Sequence, residues 1–280
     1  MGADVEIPKF VKWAGGKGQL IEQFIPLFPK KINRYFEPFV GSGAVFFFIT
    51  QKFNPKEIIL SDTNEELINT YKIIKEDVER LIVELKQHSE YHKAEGKKYY
   101  LTIRATNPKL LPDLERAARF IYLNKTCFNG LYRVNSKGQF NVPMGDYKNP
   151  DIIQEDRLRK VSKLLQKVIL KVMSFEKIVS LAKKGDFIYF DPPYYPLKKT
   201  SFTSYNKDIF MEKEQMLLRD VFVKLHKKGC LVMESNSDTE FIKKLYDSKE
   251  FKIHIVKATR MINSDANGRG KINEVVITNY

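Results

Sequence analysis

The chain has little of what metal sites and disulfide frameworks need: two cysteines and four histidines among 280 residues. Cys127 and Cys230 lie far apart and show no disulfide or zinc pattern, so both are predicted to be packing residues. His88 and His92 have the spacing of a helical metal pair but do not form His-Glu-x-x-His, which favours a solvated helix face. The sequence therefore predicts no metal site.

Long apolar runs are absent as well. Runs such as 46–49 fall far short of the ~20 residues that cross a bilayer, and the N-terminus lacks the basic-then-apolar layout of a signal peptide. A cytoplasmic protein without a membrane partner is therefore expected. The 48 basic and 34 acidic residues give a net charge of +14, which suits a polyanionic partner and favours nucleic acid.

The most informative segment is the turn Asp191, Pro192, Pro193 and Tyr194, which follows the apolar run 187–190. Its two prolines fix φ at about −65° and have no N–H group to donate, so the carbonyls of Asp191 and Pro192 can accept hydrogen bonds in a rigid turn. With the ring of Tyr194 beside them, these acceptors suit a planar nucleobase and its exocyclic amine. Ordinary buried strands also end in such turns, so the four residues alone leave both interpretations open.

A glycine turn follows a predicted short strand near the N-terminus, with Phe39, Gly41 and Gly43 in alternation. Phe46 stands where a dinucleotide fingerprint would have its third glycine, which disfavours a pyrophosphate ligand. Glycine pairs also close many ordinary strands, so this pattern is weak when taken alone.

The next predicted strand, 57–61, ends at Asp62, the usual position of a carboxylate that binds ribose hydroxyls. The alternative role for Asp62 is helix capping, because residues 63–66 have capping-box spacing. Thr63 can supply that cap, so Asp62 is predicted to be available for a ligand.

The Gly-Gly-Lys segment that includes Lys17 precedes a predicted amphipathic helix at 19–28. It is not a phosphate-binding P-loop, because Val11 replaces the first glycine and Gly18 replaces the Ser/Thr that would hold magnesium. Trp13, the only tryptophan, lies just before it and could be a plain core residue.

Two alternating runs, 131–134 and 139–142, flank an Asn-Ser-Lys-Gly turn and predict a β-hairpin in which Gly138 adopts a positive φ. A ribbon carrying Arg133 and Lys137 can enter a major groove, where arginine recognises guanine. Composition alone favours an exposed surface hairpin instead.

Taken in order, these segments resemble the Dam-like DNA adenine-N6 methyltransferases, of the alpha group of amino methyltransferases. The resemblance rests on Trp-x-Gly-Gly-Lys, Phe-x-Gly-x-Gly, Asn-x-x-x-Phe-Asn-Gly-Leu-x-Arg, Phe-Asn-Val-Pro-x-Gly-x-Tyr and Asp-Pro-Pro-Tyr, and it extends over residues 10–279. It implies that S-adenosylmethionine, the methyl donor, is bound by Trp13, Lys17, Phe39, Gly41, Gly43, Asp62 and Asp191. It also implies that Asp191, Pro192 and Tyr194 are catalytic.

For DNA, the resemblance implies contacts from the hairpin segment. Phe128 or Asn129 would fill space near a vacated base, Leu131 and Pro143 would touch bases, and Arg133 would read guanine; Lys137 and Tyr147 are further candidate contacts. Asp146 stands where several relatives have a basic residue, so a DNA contact from that position is not expected.

The implied reaction is direct methyl transfer to N6 of a flipped-out adenine in double-stranded DNA, at GATC, with no metal ion. A restriction endonuclease acting on the same site is a further candidate partner. The alternatives are a cytosine-N4 or RNA adenine methyltransferase, or an inactive DNA-binding relative. Methylation at cytosine C5 is disfavoured because neither cysteine follows a proline.

The predicted fold class is α/β, a Rossmann-like S-adenosylmethionine-dependent methyltransferase fold with an inserted helical DNA-recognition module that carries the hairpin. Strands are predicted near 33–39, 57–61, 187–190, 230–234 and 274–278, and helices at 75–87, 113–124 and 212–228. Residues 1–70 and 157–280 are predicted to form the catalytic domain and residues 71–156 the recognition module.

Overall fold

The computed structural model describes residues 5–197, 210–259 and 271–280. The chain divides into two compact units that alternate along the sequence. The first unit comprises Met1–Gly16, Gly41–Gln51 and Asp62–Val172, and the second comprises Lys17–Val40, Lys52–Ser61 and Met173–Tyr280. The separation of a recognition module at 71–156 stays a prediction.

The described residues contain both strands and helices, with five helices in succession between the second and third strands. The strands are β1 (Arg34–Glu37), β2 (Glu57–Asp62), β3 (Val168–Val172), β4 (Phe187–Phe190), β5 (Leu231–Ser237), β6 (Lys252–Thr259) and β7 (Lys271–Thr278). The helices are α1 (Ile21–Phe24), α2 (Ala44–Phe53), α3 (Glu65–Glu76), α4 (Val78–Glu95), α5 (Lys97–Ala105), α6 (Asp113–Thr126), α7 (Glu155–Leu165), α8 (Ile178–Leu181), α9 (Glu212–Lys227) and α10 (Glu240–Leu245).

The second unit contains a mixed sheet with the strand order β2-β1-β4-β5-β7-β6. The first four of these strands are parallel, and β7 runs antiparallel to both β5 and β6. All four residues of β4, Phe-Ile-Tyr-Phe, are buried, as expected for a parallel strand covered on both faces. Because β4 lies between β1 and β5, the segments that follow these three strands emerge at one edge of the sheet.

The core of the second unit lies between this sheet and α9. Its buried members include Phe36, Ile188, Phe190, Val232 and Ile277 from the sheet and Leu218, Val221, Phe222 and Leu225 from α9. Their spacing of three, one and three residues makes one apolar stripe on α9. Each such side chain stabilises the fold by roughly 1.5–3 kcal/mol when buried. The helix is closed by Gly229 at φ +75°, in agreement with the sequence.

In the first unit, α6 is the central helix: residues 117–126 are all buried, and α6 packs against α3, α4 and α5. Arg119 is buried too, and its guanidinium donates to the carbonyl oxygens of Ile103 and Arg104 at 2.9 and 3.0 Å. Those carbonyls end α5, so the charge of Arg119 lies at the negative end of that helix.

The predicted hairpin is present in the first unit. The amide of Asn135 donates to the Gln139 carbonyl at 2.9 Å, Val134 and Phe140 form an antiparallel bridge, and Gly138 has φ +74°. The pairing consists of isolated bridges rather than regular strands, so the ribbon is irregular on both sides of its turn.

Several predicted elements differ from the observed ones. The single helix predicted at 19–28 is wrong: α1 has four residues and is followed by a short 3-10 turn that contains Pro26, which has no N–H group to continue α-helical bonding. Strands β3 and β6 were not predicted.

The solvated face predicted for His88 and His92 is present only in part, because both side chains are half-buried. The Nδ1 atoms of these histidines lie 2.8 and 2.9 Å from the hydroxyl groups of Tyr99 and Tyr122, and burial lowers the pKa of His88 to about 4.

Among the described residues, no helix is both long enough and apolar enough to cross a bilayer.

Candidate active site

The turn after β4 brings three predicted site residues of the second unit together. The Nζ atom of Lys17 lies 2.8 Å from Oδ1 of Asp191, and it also lies 4.6 Å from the centre of the Tyr194 ring. Lys17 is buried, so its ammonium is held between a carboxylate and an aromatic face. The predictions for Lys17, Asp191 and Tyr194 thus fall on one cluster of contacting side chains.

The carboxyl group of Asp191 is tuned by its surroundings. Burial raises the pKa of Asp191 to about 6, the Lys17 ammonium lowers it, and the Glu274 carboxylate raises it. At neutral pH the carboxylate is mostly ionised and accepts hydrogen bonds, whereas a moderate fall in pH protonates it.

The ring of Tyr194 is held at its hydroxyl group and on one of its faces. Its hydroxyl group donates to Oε2 of Glu274 at 2.8 Å, and burial together with the Asp191 and Glu274 carboxylates raises the pKa of Tyr194, so the phenol stays protonated. Since the Lys17 ammonium lies over one face of the ring, a stacking base would use the opposite face.

A buried polar group that the sequence did not predict supports this turn. Gln215 and Asn236 are fully buried, and their amides hydrogen-bond to the backbone on either side of Tyr194. The available signal was that Gln215 lies on the apolar stripe of α9, three residues before Leu218, and that β5 has the polar sequence Glu-Ser-Asn-Ser inside an otherwise apolar sheet.

Phe39, predicted to bind the methyl donor, lies in the loop after β1. Its ring stacks on Phe175 with centroids 5.3 Å apart and meets Phe210 edge to face at 5.7 Å. Pro192 is buried and Pro193 is exposed.

The glycine loop and Asp62 belong to the first unit. Oδ2 of Asp62 accepts from the Gly41 amide at 3.4 Å, and its Oδ1 accepts from the Asn64 amide at 3.0 Å. Burial raises the pKa of Asp62, and hydrogen bonds from the amides of Asn64, Gly41 and Thr63 oppose that rise. The carboxylate therefore holds the start of the loop in place.

Trp13 explains why position 41 is a glycine. A Cβ atom there would lie 2.8 Å from Cδ1 of Trp13, and Gly41 has φ +47°. Gly43 has φ +70°, and a Cβ atom there would lie 2.7 Å from the Tyr71 hydroxyl oxygen. Trp13 and Asp62 thus both lie against Gly41 within the first unit, and their role in donor binding stays a prediction.

The capping prediction beside Asp62 needs a correction. The N-cap of α3 is Asn64, whose side chain accepts from the Leu67 amide at 3.1 Å, and Thr63 does not cap the helix. An asparagine is as good an N-cap as threonine, and capping-box spacing alone did not distinguish them. Asp62 is still not the N-cap.

The candidate DNA-contacting side chains lie on the hairpin segment of the first unit. Phe128 is 51% and Leu131 38% exposed, and Asn129, Arg133, Lys137 and Pro143 are exposed as well. Nε of Arg133 donates to Oδ1 of Asn141 at 2.7 Å, which orients the guanidinium. Tyr147 is half-buried, with the Lys12 Nζ atom 4.1 Å from its ring centre.

Asn124 fixes the loop from which these side chains project. Its side chain accepts from the Lys12 amide at 2.8 Å and donates to the carbonyls of Lys12 and Gly130 at 2.8 and 2.9 Å. A Cβ atom at Gly130 would lie too close to the Lys12 side chain, so this approach requires glycine.

Both cysteines are buried, and burial raises the pKa of each thiol to about 11. At neutral pH neither is a thiolate nucleophile. No group of three or more metal-ligating side chains occurs in the part of the chain that is described.

Comparison of the sequence with known proteins shows the family to which the chain belongs. Residues 13–262 match the model of the D12 class N6 adenine-specific DNA methyltransferases. The chain is 44% identical to the type II methyltransferase M1.LlaDCHI of Lactococcus lactis subsp. cremoris over 99% of its length and 96% of that protein. It is 45% identical to the type II methyltransferase M.MjaIII of Methanocaldococcus jannaschii, over 99% of this chain and all of that protein. It is 38% identical to the DNA adenine methylase of Haemophilus influenzae over 95% and 92% of the two chains. The chain belongs to the D12 class of N6 adenine-specific DNA methyltransferases.

Proposed function

We propose that this adenine-specific DNA methyltransferase modifies N6 of adenine within GATC in double-stranded DNA, after the adenine has been flipped out of the helix. The observation that carries the proposal is the half-buried Asp191 carboxylate, paired with the buried Lys17 ammonium at 2.8 Å beside the Tyr194 ring in a Pro-Pro turn. The family of the chain indicates adenine as the target base and S-adenosylmethionine as the methyl donor, whereas the residue roles are part of the proposal.

Asp191 and Pro192 would activate the amino group. The lone pair of an exocyclic amine is delocalised into the base, so it is a poor nucleophile. Hydrogen bonds from the amine to the Asp191 carboxylate and the Pro192 carbonyl localise that lone pair and orient it. Lys17 keeps the carboxylate ionised, which the raised pKa of Asp191 makes necessary near neutral pH.

Tyr194 would hold the flipped base. Extrusion of a base costs a few kcal/mol, and stacking on an aromatic ring returns part of that cost. The hydrogen bond to Glu274 and the Lys17 ammonium fix the ring before the base arrives, so little of the stacking energy is spent on ordering it.

The residues around Asp62 fit S-adenosylmethionine, whose sulfonium supplies an electrophilic methyl group. Backbone amides, among them those of Gly41 and Asn64, donate to the Asp62 carboxylate, whose roughly four lone-pair sites leave room to accept from a ribose hydroxyl as well. We assign the remaining donor contacts to Trp13, Lys17, Phe39, Gly41, Gly43 and Asp191.

The hairpin would read the sequence. We assign base contacts to Leu131, Arg133 and Pro143, the space left by the flipped base to Phe128 or Asn129, and further DNA contacts to Lys137 and Tyr147. The exposure of Phe128 and Leu131 supports this assignment, because apolar side chains in contact with solvent are suited to packing against bases.

The proposal is tested by treating adenine-unmethylated genomic DNA with the protein and S-adenosylmethionine, then mapping N6-methyladenine by sequencing. Modification confined to GATC is expected, and modification at another motif would contradict the assigned site. With 2-aminopurine at the target position, a rise in fluorescence on binding is expected if the base leaves the stack.

Of the three relatives described above, two bear the name type II methyltransferase and one the name DNA adenine methylase, so restriction-modification and free-standing methylation are both candidate settings. Protection of treated DNA from a GATC-cleaving endonuclease tests whether the modification could serve the first.

A further inference from the structure

The backbone on both sides of Tyr194 is held by side-chain amides of the second unit. Nε2 of Gln215, in α9, donates to the Pro193 carbonyl at 3.0 Å, and the Tyr195 amide donates to Oδ1 of Asn236, in β5, at 3.3 Å. The residue whose ring is assigned to the base is therefore fixed at the peptide groups before and after it.

The two amides are also joined to each other. Nδ2 of Asn236 donates to Oε1 of Gln215 at 2.9 Å and to Oε1 of Glu234 at 3.1 Å, while Oε2 of Glu234 accepts from the Tyr246 hydroxyl. Gln215, Asn236 and Glu234 are fully buried. In such a setting each hydrogen bond orients the next, and the loss of one leaves a buried polar group unpaired.

The place of Gln215 distinguishes positioning from simple packing. It occupies the apolar stripe of α9, where an apolar side chain would bury equally well without a polar group to satisfy. Instead, the amide uses its oxygen for Asn236 and its nitrogen for the carbonyl of the Pro-Pro turn. Neither residue is among those assigned to substrate or methyl donor.

We propose that Gln215 and Asn236 are positioning residues that fix the backbone around Tyr194 and thereby the orientation of its ring and of Asp191. The inference rests on the role proposed for residues 191–194. Because these amides act through the turn rather than on DNA or donor, their loss should lower kcat and leave both KM values nearly unchanged.

The test compares Gln215→Met with Gln166→Met. Methionine keeps the length of the side chain and removes its amide in both variants. Gln166, which is exposed, is a control matched in hydrogen bonding, because its Nε2 also donates to backbone carbonyls, those of Lys75 and Ser162 at 3.0 and 2.9 Å. We expect Gln215→Met to lose roughly 10–100-fold in kcat, the effect of a small displacement of reacting groups. Its KM values should stay near those of the parent protein, and Gln166→Met should keep the parent kcat.

Hydrogen exchange gives a second readout that does not depend on catalysis. The peptide 190–197 has exchangeable amides at Tyr194 and Tyr195, and these should exchange faster in Gln215→Met than in the parent protein. Unchanged kcat in a folded Gln215→Met, or unchanged exchange in this peptide, would overturn the proposal.

If Gln215→Met does not fold, Gln215→Asn replaces it: the amide is retained but is one methylene too short to reach the Pro193 carbonyl, so the same losses are expected. Failure of the parent protein to methylate adenine would refute the proposed function instead, and the exchange measurement would still decide the positioning role.

Discussion

The turn after β4 and the hairpin after α6 are both irregular segments that follow a buried element, yet they differ in how far their side chains are held. In the turn, the side chains of Asp191 and Tyr194 are themselves fixed, by Lys17 and Glu274. In the hairpin segment the backbone is fixed, by Asn124 at Gly130 and by the Tyr100 hydroxyl at the Val142 carbonyl, 2.9 Å away, while its candidate reading side chains are exposed.

The difference fits the roles proposed for the two segments. Activation of an amine requires acceptors at a set position, and buried hydrogen bonds provide that order before the substrate binds. Recognition of base edges requires side chains that project from a fixed backbone into a DNA groove, and buried side chains could not make those contacts. Substitutions should therefore lower the rate when they fall in the turn and change sequence preference when they fall in the hairpin.

The largest expected effect is at Asp191. Asp191→Ala removes the acceptor assigned to the amine, and we expect a loss of about 100-fold or more in the single-turnover rate of methyl transfer. The DNA dissociation constant, measured by gel shift, should stay close to that of the parent protein. Asp156→Ala, at a fully exposed carboxylate, is the matched control and should keep the parent rate. Loss of DNA binding in Asp191→Ala would show that the turn and the hairpin are not functionally separate.

Arg133→Ala should change preference instead. Loss of a bidentate contact to guanine costs about 1–3 kcal/mol, so discrimination against duplexes with that guanine replaced should fall by roughly 5–150-fold. Lys137→Ala is the comparison on the same hairpin. If Lys137 contacts a phosphate, its loss should weaken binding to all sequences alike and reduce the slope of log K against log salt concentration by about 1. Equal discrimination in Arg133→Ala and the parent protein would remove Arg133 as the reader.

The pH dependence should report the protonation of Asp191 in the turn. Asp191 accepts hydrogen bonds as a carboxylate, and its pKa is raised to about 6, so kcat should be on a plateau above that pH and fall as the pH drops through it. At pH 5 we expect about one-tenth of the plateau rate. Because the Lys17 ammonium lowers the pKa of Asp191, Lys17→Met should move the fall in kcat to higher pH. A parent profile that is flat down to pH 5 would contradict the assignment.

The smallest effect is expected for the hydrogen bond between Tyr194 and Glu274. Tyr194→Phe keeps the ring and loses a bond to a half-buried carboxylate that is worth roughly 1.5 kcal/mol, so the rate should fall about tenfold or less. Glu274→Gln tests the same contact from the other side, and in the double variant the two losses should not add. Additive losses would show that Tyr194 and Glu274 act independently.

Local pattern was enough to predict the parts of the molecule that depend on near neighbours in sequence. Strand β4 occupies 187–190 as predicted, and the Asn-Ser-Lys-Gly turn has its positive φ at Gly138. Both follow from rules about adjacent residues: a continuous apolar run for a buried strand, and glycine where φ must be positive.

Contacts between residues distant in sequence could not be predicted. Gln215 and Asn236 are 21 positions apart, and nothing in either segment shows that they meet below the Pro-Pro turn. The choice between Thr63 and Asn64 as helix cap depends on where α3 begins, which differs by one residue between two plausible starts. The turn could thus be recognised when its four residues were considered together with the other motifs, but the residues that support it could not.

The most direct measurement is the transfer of labelled methyl from S-adenosylmethionine to two duplexes that are identical except for GATC in one and GTTC in the other. We predict incorporation into the GATC duplex alone, recovered as N6-methyladenine, and none with Asp191→Ala. Equal incorporation into both duplexes would contradict the GATC assignment, and full incorporation by Asp191→Ala would contradict the role of the turn.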